Sequence, residues 1–287
     1  MPDENSPRGP SDGLGPGRYD AAHAAAWNKW FHIIEGGAQR LSDRMVELAE
    51  IAPGQNVLDV ATGLGEPAVT AAVRVGAGGR VLAIDTSADM LGFARERAAK
   101  LGLDQIDFRV MDAQAPDLPE AEFDAVLCRW GLMFMTDLDG VLAGLRRALA
   151  PGGRLVAAIW GPSEDVPAIS LSTRLVHASL GLPPPEEGAK TPFALSDVAA
   201  FLHQLEAAGF DQVRGEWVTV TYSFESAEAF TEYRRERSGS LNARIAHVPA
   251  DQQEIAWQAV YEAARARAAP DGTLRLANAA YCASARR

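Results

Sequence analysis

Asn56–Thr70 reads NVLDVATGLGEPAVT, and this stretch decides the fold. Val57, Leu58, Asp59 and Val60 form a short apolar run carrying one acid, which reads as a buried strand. The turn Ala61-Thr62-Gly63-Leu64-Gly65 follows it. Ala68, Val69, Ala71, Ala72 and Val73 then recur at helical spacing. Strand, glycine turn and helix together open a nucleotide-binding βαβ unit. Glycine lets a ligand approach the backbone, because no Cβ intervenes. The helix start offers free N–H groups and the positive end of a dipole.

Such a turn alone is weak evidence, and two acids sharpen it. A pyrophosphate in the turn would be repelled by Asp59, whereas a ligand with cationic groups would be attracted. S-adenosylmethionine (SAM) has an ammonium and a sulfonium and no phosphate. Arg80–Ile84 (RVLAI) reads as the next strand and runs into Asp85, about 20 residues past the turn, where an acid can accept from ribose hydroxyls. The competing role for Asp85 is a helix cap, which Thr86, Ser87 or Asp89 could equally supply.

VLDVATGLGEPA, VLAIDTSADML, FRVMDA, FDAVLCRWGLMFM and LRRALAPGGRLVAAIW, taken together, resemble class I SAM-dependent methyltransferases, in the UbiE/COQ5-like small-molecule group. The resemblance is good from Tyr19 to Gly161 and only general beyond. It departs at Ala61, where the family has its first turn glycine. It implies an α/β, Rossmann-like, doubly wound sheet of seven strands, mostly parallel with the last antiparallel, plus a helical lid. It also implies a cofactor site. Ala61, Thr62, Gly63 and Gly65 would meet the methionine part of SAM above Asp59. Asp85, with Thr86 beside it, would meet the ribose. Met90 would lie on the adenine, and Asp112 and Ala113 would bond its edge. A backbone carbonyl near Cys128 or Arg129 would accept from the ammonium. Arg129 could instead pair with an acid of the fold. Met90 competes with a plain core role. Tyr19, Trp27, Trp130, Met133, Phe134 and Trp160 are the expected substrate-facing residues, although large aromatics at helical spacing are often structural.

The chain order supports this outline. Residues 1–18 are rich in Pro, Gly and polar residues and are expected to be a disordered tail without a secretory signal. Residues 19–50 read as two lid helices, broken at Gly36-Gly37. Residues 51–163 alternate strands and helices and read as the SAM-binding core. Strand five is expected at Arg154–Trp160, after a helix stopped by Pro151-Gly152-Gly153. Residues 164–195 read as a lid insertion that includes a Pro-rich loop, and 196–225 as a return to the core. Residues 226–270 read as two further lid helices, the first from Ser226 to Leu241, and 271–287 as the last strand.

The formal charge of −11 argues against nonspecific binding to nucleic acid or an anionic membrane. No apolar run is long enough for a membrane helix. Cys128 and Cys282 lie in apolar runs and read as buried thiols of a cytoplasmic protein. His23, His32, His177, His203 and His247 show no metal-ligand spacing, so no metal is expected and no catalytic base is identified.

The function expected is methyl transfer from SAM to an O, N or C atom of a hydrophobic small molecule, mainly by in-line positioning. One alternative is a methyltransferase-like protein that binds SAM but catalyses a cyclisation or another reaction. The other is an NAD(P)-dependent oxidoreductase, which Asp59 counts against. Neither nucleic acid nor membrane is an expected partner, and a homodimer is expected from the extra helices.

Overall fold

The computed structural model describes residues 21–183 and 189–287, so the expected 1–18 tail, Tyr19 and part of the Pro-rich loop lie outside the described residues. Seven strands form one sheet: β1 (Asn56–Val60), β2 (Arg80–Asp85), β3 (Ile106–Val110), β4 (Phe123–Arg129), β5 (Leu149–Trp160), β6 (Asp211–Phe224) and β7 (Leu274–Arg286). The helices are α1 (Ala21–Lys29), α2 (Phe31–Leu48), α3 (Ala68–Val75), α4 (Ala88–Lys100), α5 (Leu138–Ala148), α6 (Pro167–Leu180), α7 (Val198–Ala207), α8 (Ala227–Arg237), α9 (Gly239–Ile245) and α10 (Ala250–Arg265).

The strand order is β3-β2-β1-β4-β5-β7-β6. β1 to β5 are parallel, and β7 runs against both β5 and β6. This is the expected doubly wound sheet with a reversed last strand. β1 and β4 are almost wholly buried, as strands covered on both faces must be. The winding changes direction between β1 and β4, and ligands bind at the carboxyl ends of such a pair. Asp59 is in register with Leu127 there, which sets the β1 turn beside Cys128, Arg129 and Trp130.

Helix starts follow local chemistry. Ser87, Asp137, Asp197 and Ser226 each accept from an amide of the first turn of α4, α5, α7 and α8. Gly181 ends α6 in the left-handed conformation, at φ 60°. Asn278, buried on β7, accepts from Ala168 N at 2.9 Å and donates to Val220 O and Leu276 O, which fastens α6 to the sheet.

Four elements differ from expectation. The first two helices break at Trp30, and α2 runs unbroken through Gly36-Gly37. β5 starts at Leu149, directly after α5. The segment from Ser226 divides at Ser238 into α8 and α9. Of the segment read as two lid helices, α2 packs across the sheet on β6, β5, β4 and α3, while α1 reaches α4 and α8. The reason α2 tolerates its glycines is packing. A Cβ on Gly37 would sit 2.5 Å from Thr221 O and 2.6 Å from Tyr222 Cδ1, so only glycine lets the helix approach β6. Gly36 has nothing within 4 Å.

The two glycines should therefore respond oppositely. Gly37→Ala should lower stability by about 1–3 kcal/mol through overpacking. Gly36→Ala should be neutral or stabilising, by up to about 1 kcal/mol from helix propensity. Urea denaturation of the two variants would separate them.

Candidate active site

The turn after β1 is held in an unusual backbone path. Ala61, Gly63 and Gly65 have φ of 57°, 56° and 94°. The left-handed region costs a non-glycine residue roughly 1–2 kcal/mol, so Ala61 is retained against a local preference for glycine. Its methyl fits because Gly131 opposite carries no side chain; a Cβ there would lie 2.6 Å from the Ala61 Cβ and 2.9 Å from Cys128 Sγ. Thr62 N donates to Ile84 O at 3.0 Å, and Gly65 N to Thr62 O at 2.9 Å.

Asp85 fixes the same turn from β2. One carboxylate oxygen accepts from Gly63 N at 2.8 Å and the other from Ser87 N at 2.9 Å. The Thr86 N–H acts on the same carboxylate. Burial pushes this carboxyl up, opposed by its amide donors. Asp59 lies fully buried beneath the turn, and its Oδ2 accepts from Ala68 N at 2.9 Å, at the start of α3. The buried Thr62 hydroxyl lies against this carboxyl, although neither it nor Oδ1 makes a hydrogen bond of good geometry. Burial pushes the Asp59 carboxyl up to about 7, against the pull of Thr62, the Arg129 guanidinium and Ala68 N–H.

Met90 is buried with Leu64 and Ala24, with Trp27, Phe31 and Phe93 packed around them. Its Cε would be the nearest atom, at 3.9 Å, to a Cβ on Gly63, so it borders the turn. Asp112 is exposed and accepts from Gln114 N at 2.9 Å, while Ala113 is buried. Cys128 is buried as a free thiol, pushed up to about 12 by burial.

Arg129 resolves one open choice. Its Nη1 donates to Glu35 Oε2 at 2.9 Å and to Ser42 Oγ at 2.9 Å, and its Nη2 to Glu35 Oε1 at 2.5 Å. Burial alone would lower its pKa, but Glu35 outweighs this and holds it above the ordinary value. Trp130 follows with φ 61°, and its buried indole N–H has no partner. Its ring stacks on Trp160 at 4.2 Å between centroids, with 12° between planes. Trp160 and Met133 are buried in the core, whereas Trp130, Phe134 and Trp27 are only partly covered. Trp27 Nε1 donates to His23 Nε2 at 2.6 Å.

The sequence reading missed several polar side chains that shape this region. Glu66, directly after the turn, is buried and accepts from Arg97 Nη2 at 2.7 Å and Thr70 Oγ1 at 2.7 Å. Glu35, Tyr222 and Arg237 were missed too. Glu35 had a signal: with Ser42 it interrupts the 35, 38, 42, 45 stripe that α2 buries.

Comparison with known proteins fits this geometry. Residues 57–153 match a family model described as a methyltransferase domain. The core is thus similar to methyltransferase domains over residues 57–153. The ubiquinone/menaquinone biosynthesis C-methyltransferase UbiE of Cellvibrio japonicus is 36% identical over 135 residues, covering 46% of this chain and 54% of that protein. The aklanonic acid methyltransferase DauC of Streptomyces sp. strain C5 is 38% identical over 112 residues, covering 39% of this chain and 51% of its own. The chain thus spans about half the length of the curated relatives it matches. The fold is also that of a phosphoethanolamine N-methyltransferase of Haemonchus contortus, with TM-score 0.56 and 18% identity, covering 94% of this chain and 58% of that one. The [4+2]-cyclase SpnF shares it as well, with TM-score 0.51 and 21% identity, covering 87% of this chain and 80% of that one. The family match ends at Gly153, so most of β5, β6, β7 and helices α6–α10 lie outside the matched domain.

Two variants test the electrostatics of this region. Arg129→Ala should cost about 3–5 kcal/mol, because it strands Glu35 as a buried charge. Pairing it with Glu35→Leu should recover much of that loss in denaturation experiments. Asp59 holds its proton more tightly folded than unfolded, so its contribution to stability falls as pH rises from about 4 toward about 7. The stability of Asp59→Asn relative to wild type should therefore improve between pH 5 and pH 8, by roughly 1–3 kcal/mol. A difference that stays flat across this range would contradict the raised carboxyl.

Proposed function

We propose that the chain is a SAM-dependent methyltransferase acting on an O, N or C atom of a hydrophobic small molecule. The observation that carries this reading is the pair of acids around one left-handed turn: half-buried Asp85 bonded to Gly63 N, and fully buried Asp59 beneath it. Donor groups on a ligand crossing Gly63 would suit the Asp85 carboxylate, and a cationic ligand suits Asp59. Asp112 and Ala113 lie just past the end of β3 and Met90 beside the turn, which supports an adenine-binding role for them. The names of the matched relatives, UbiE and DauC, support quinone-like or polyketide acceptors.

SAM supplies an electrophilic methyl carbon on a sulfonium. This chain's residues supply position and dryness. Trp130, braced flat on Trp160, walls the space beside the turn. Holding nucleophile and methyl in line contributes roughly 7–11 kcal/mol. α1, α6, α8 and α10 pack on one another and, in this reading, form the lid that excludes water. An oxygen nucleophile would also need a base. His203 is surface-exposed beside Glu206, and His23 uses Nε2 to accept from Trp27, so neither is assigned that role. The two buried free thiols suit a reducing cytoplasm.

Calorimetric titration of SAM and S-adenosylhomocysteine (SAH) is the direct test. Wild type should bind both, and Asp85→Ala should weaken each by about tenfold or more, near 1.4 kcal/mol. Failure of the folded wild type to bind either would defeat the proposal.

A further inference from the structure

Helix α8 carries three arginines whose surroundings differ. Arg235 is satisfied outward, with both Nη groups on the Glu254 carboxylate at 2.8 and 2.7 Å. Arg234 and Arg237 have no carboxylate within ion-pair distance among the described residues. Arg234 is buried and donates to neutral groups, to Ser172 Oγ at 2.8 Å and Ile169 O at 3.4 Å on α6, with the Tyr233 side chain also beside it. Arg237 lies 3.4 Å from the Trp27 ring centroid and 5.1 Å from that of Tyr233, and donates to Tyr233 OH. Its Nε is buried and has no partner.

The nearby acids are committed elsewhere. Glu232 and Glu236 bind Lys29, Glu236 also binds Trp30, and Glu35 binds Arg129. Burial lowers the Arg234 pKa to about 10, and the Arg237 charge pushes it the same way. Two cations one helical turn apart, partly or wholly out of water and without an anion, are an expensive arrangement to retain.

These arginines adjoin the candidate acceptor wall. Trp130 stacks on Trp160, Trp160 meets Tyr222 edge-on at 6.5 Å, and Tyr222 meets Tyr233 at 6.4 Å. Tyr233 touches Arg237. The Tyr222 hydroxyl makes no hydrogen bond among the described residues and lies close enough to feel the charges of Arg237 and Arg129. An aromatic path thus runs from the cofactor turn to a guanidinium with unused donors.

We propose that Arg237 anchors a carboxylate on the acceptor, whose aromatic or polyene body lies along Tyr222 and Trp130 with its reacting atom at the turn. This rests on the methyltransferase reading and narrows its acceptor to hydrophobic carboxylic acids. A guanidinium presents paired N–H donors that match a carboxylate, and flanking rings exclude water from that pair. A phosphate dianion would require more donors than Arg237 and Tyr222 provide.

The test uses three probes on the SAH-saturated protein: 2-naphthoate, neutral 2-naphthamide and 2-naphthyl phosphate, followed by calorimetry and by quenching of tryptophan fluorescence. Wild type should prefer naphthoate to the amide by about tenfold or more. Arg237→Gln should erase that preference, Arg237→Lys should keep part of it, and Arg235→Gln should leave it intact. SAH affinity, measured in the same series, should change less than about twofold in all variants. Equal binding of acid and amide, absence of naphthoate binding, preference for the phosphate ester, or full preference in Arg237→Gln would each overturn the proposal. Loss of SAH binding by wild type would instead strike the methyltransferase reading, and naphthoate titrated alone would still report on Arg237.

Discussion

The bidentate pair between Glu35 and Arg129 is the constraint on which the functional end of the sheet depends. It joins the second turn of α2 to the last residue of β4, across 94 positions of sequence. Both side chains are nearly out of water, so the attraction is offset by desolvation and the pair adds little net stability. Its effect is on position. With Ser42 it takes up the donors of Arg129 that point at α2, which fixes the backbone just before Trp130. Trp130 then adopts a left-handed conformation, and its ring settles flat on Trp160. α2 can reach this far only because Gly37 lets it close on β6.

The same corner shows why the turn tolerates Ala61. The left-handed backbone and the methyl group both need space, and Gly131 on the β4 side provides it. A departure from the usual glycine at position 61 is thus matched by a glycine seventy residues later. Substituting Gly131 would press on Ala61 and Cys128 together, so the two positions are better understood as one packing decision.

The core and its cofactor half were legible because their determinants are local. A buried strand, a glycine turn and an acid at the end of the next strand occupy Asn56–Asp85, and each can be read within a few residues. The strand order and the reversed β7 followed from alternation and resemblance. The acceptor half was less legible. Gly36-Gly37 looked like a break because a glycine pair signals local freedom, while its use is a contact with β6 almost two hundred residues away. Arg237 and Tyr222 belong to elements joined only by folding. Their sequence surroundings, YRRER and VTYSF, give no sign that Arg234 and Arg237 turn inward while Arg235 faces outward.

The distribution of unsatisfied polar atoms separates scaffold from site. Several buried polar groups are fully satisfied: Asn278 makes three hydrogen bonds, and both Glu66 oxygens are paired. Of the seven buried side-chain atoms without a partner among the described residues, four are Asp59 Oδ1, Thr62 Oγ1, Trp130 Nε1 and Arg237 Nε. Those four lie along the path from the β1 turn through the stacked tryptophans to α8. A buried polar atom without a partner costs roughly 1–3 kcal/mol. A sequence that satisfies Asn278 so fully could have satisfied these as well, or replaced them with apolar groups. Their grouping is understandable if ligands complete them, a cation-bearing cofactor at the acidic end and an anionic acceptor at the basic end. Opposite charges at the two ends would then orient an acceptor along the aromatic residues between them.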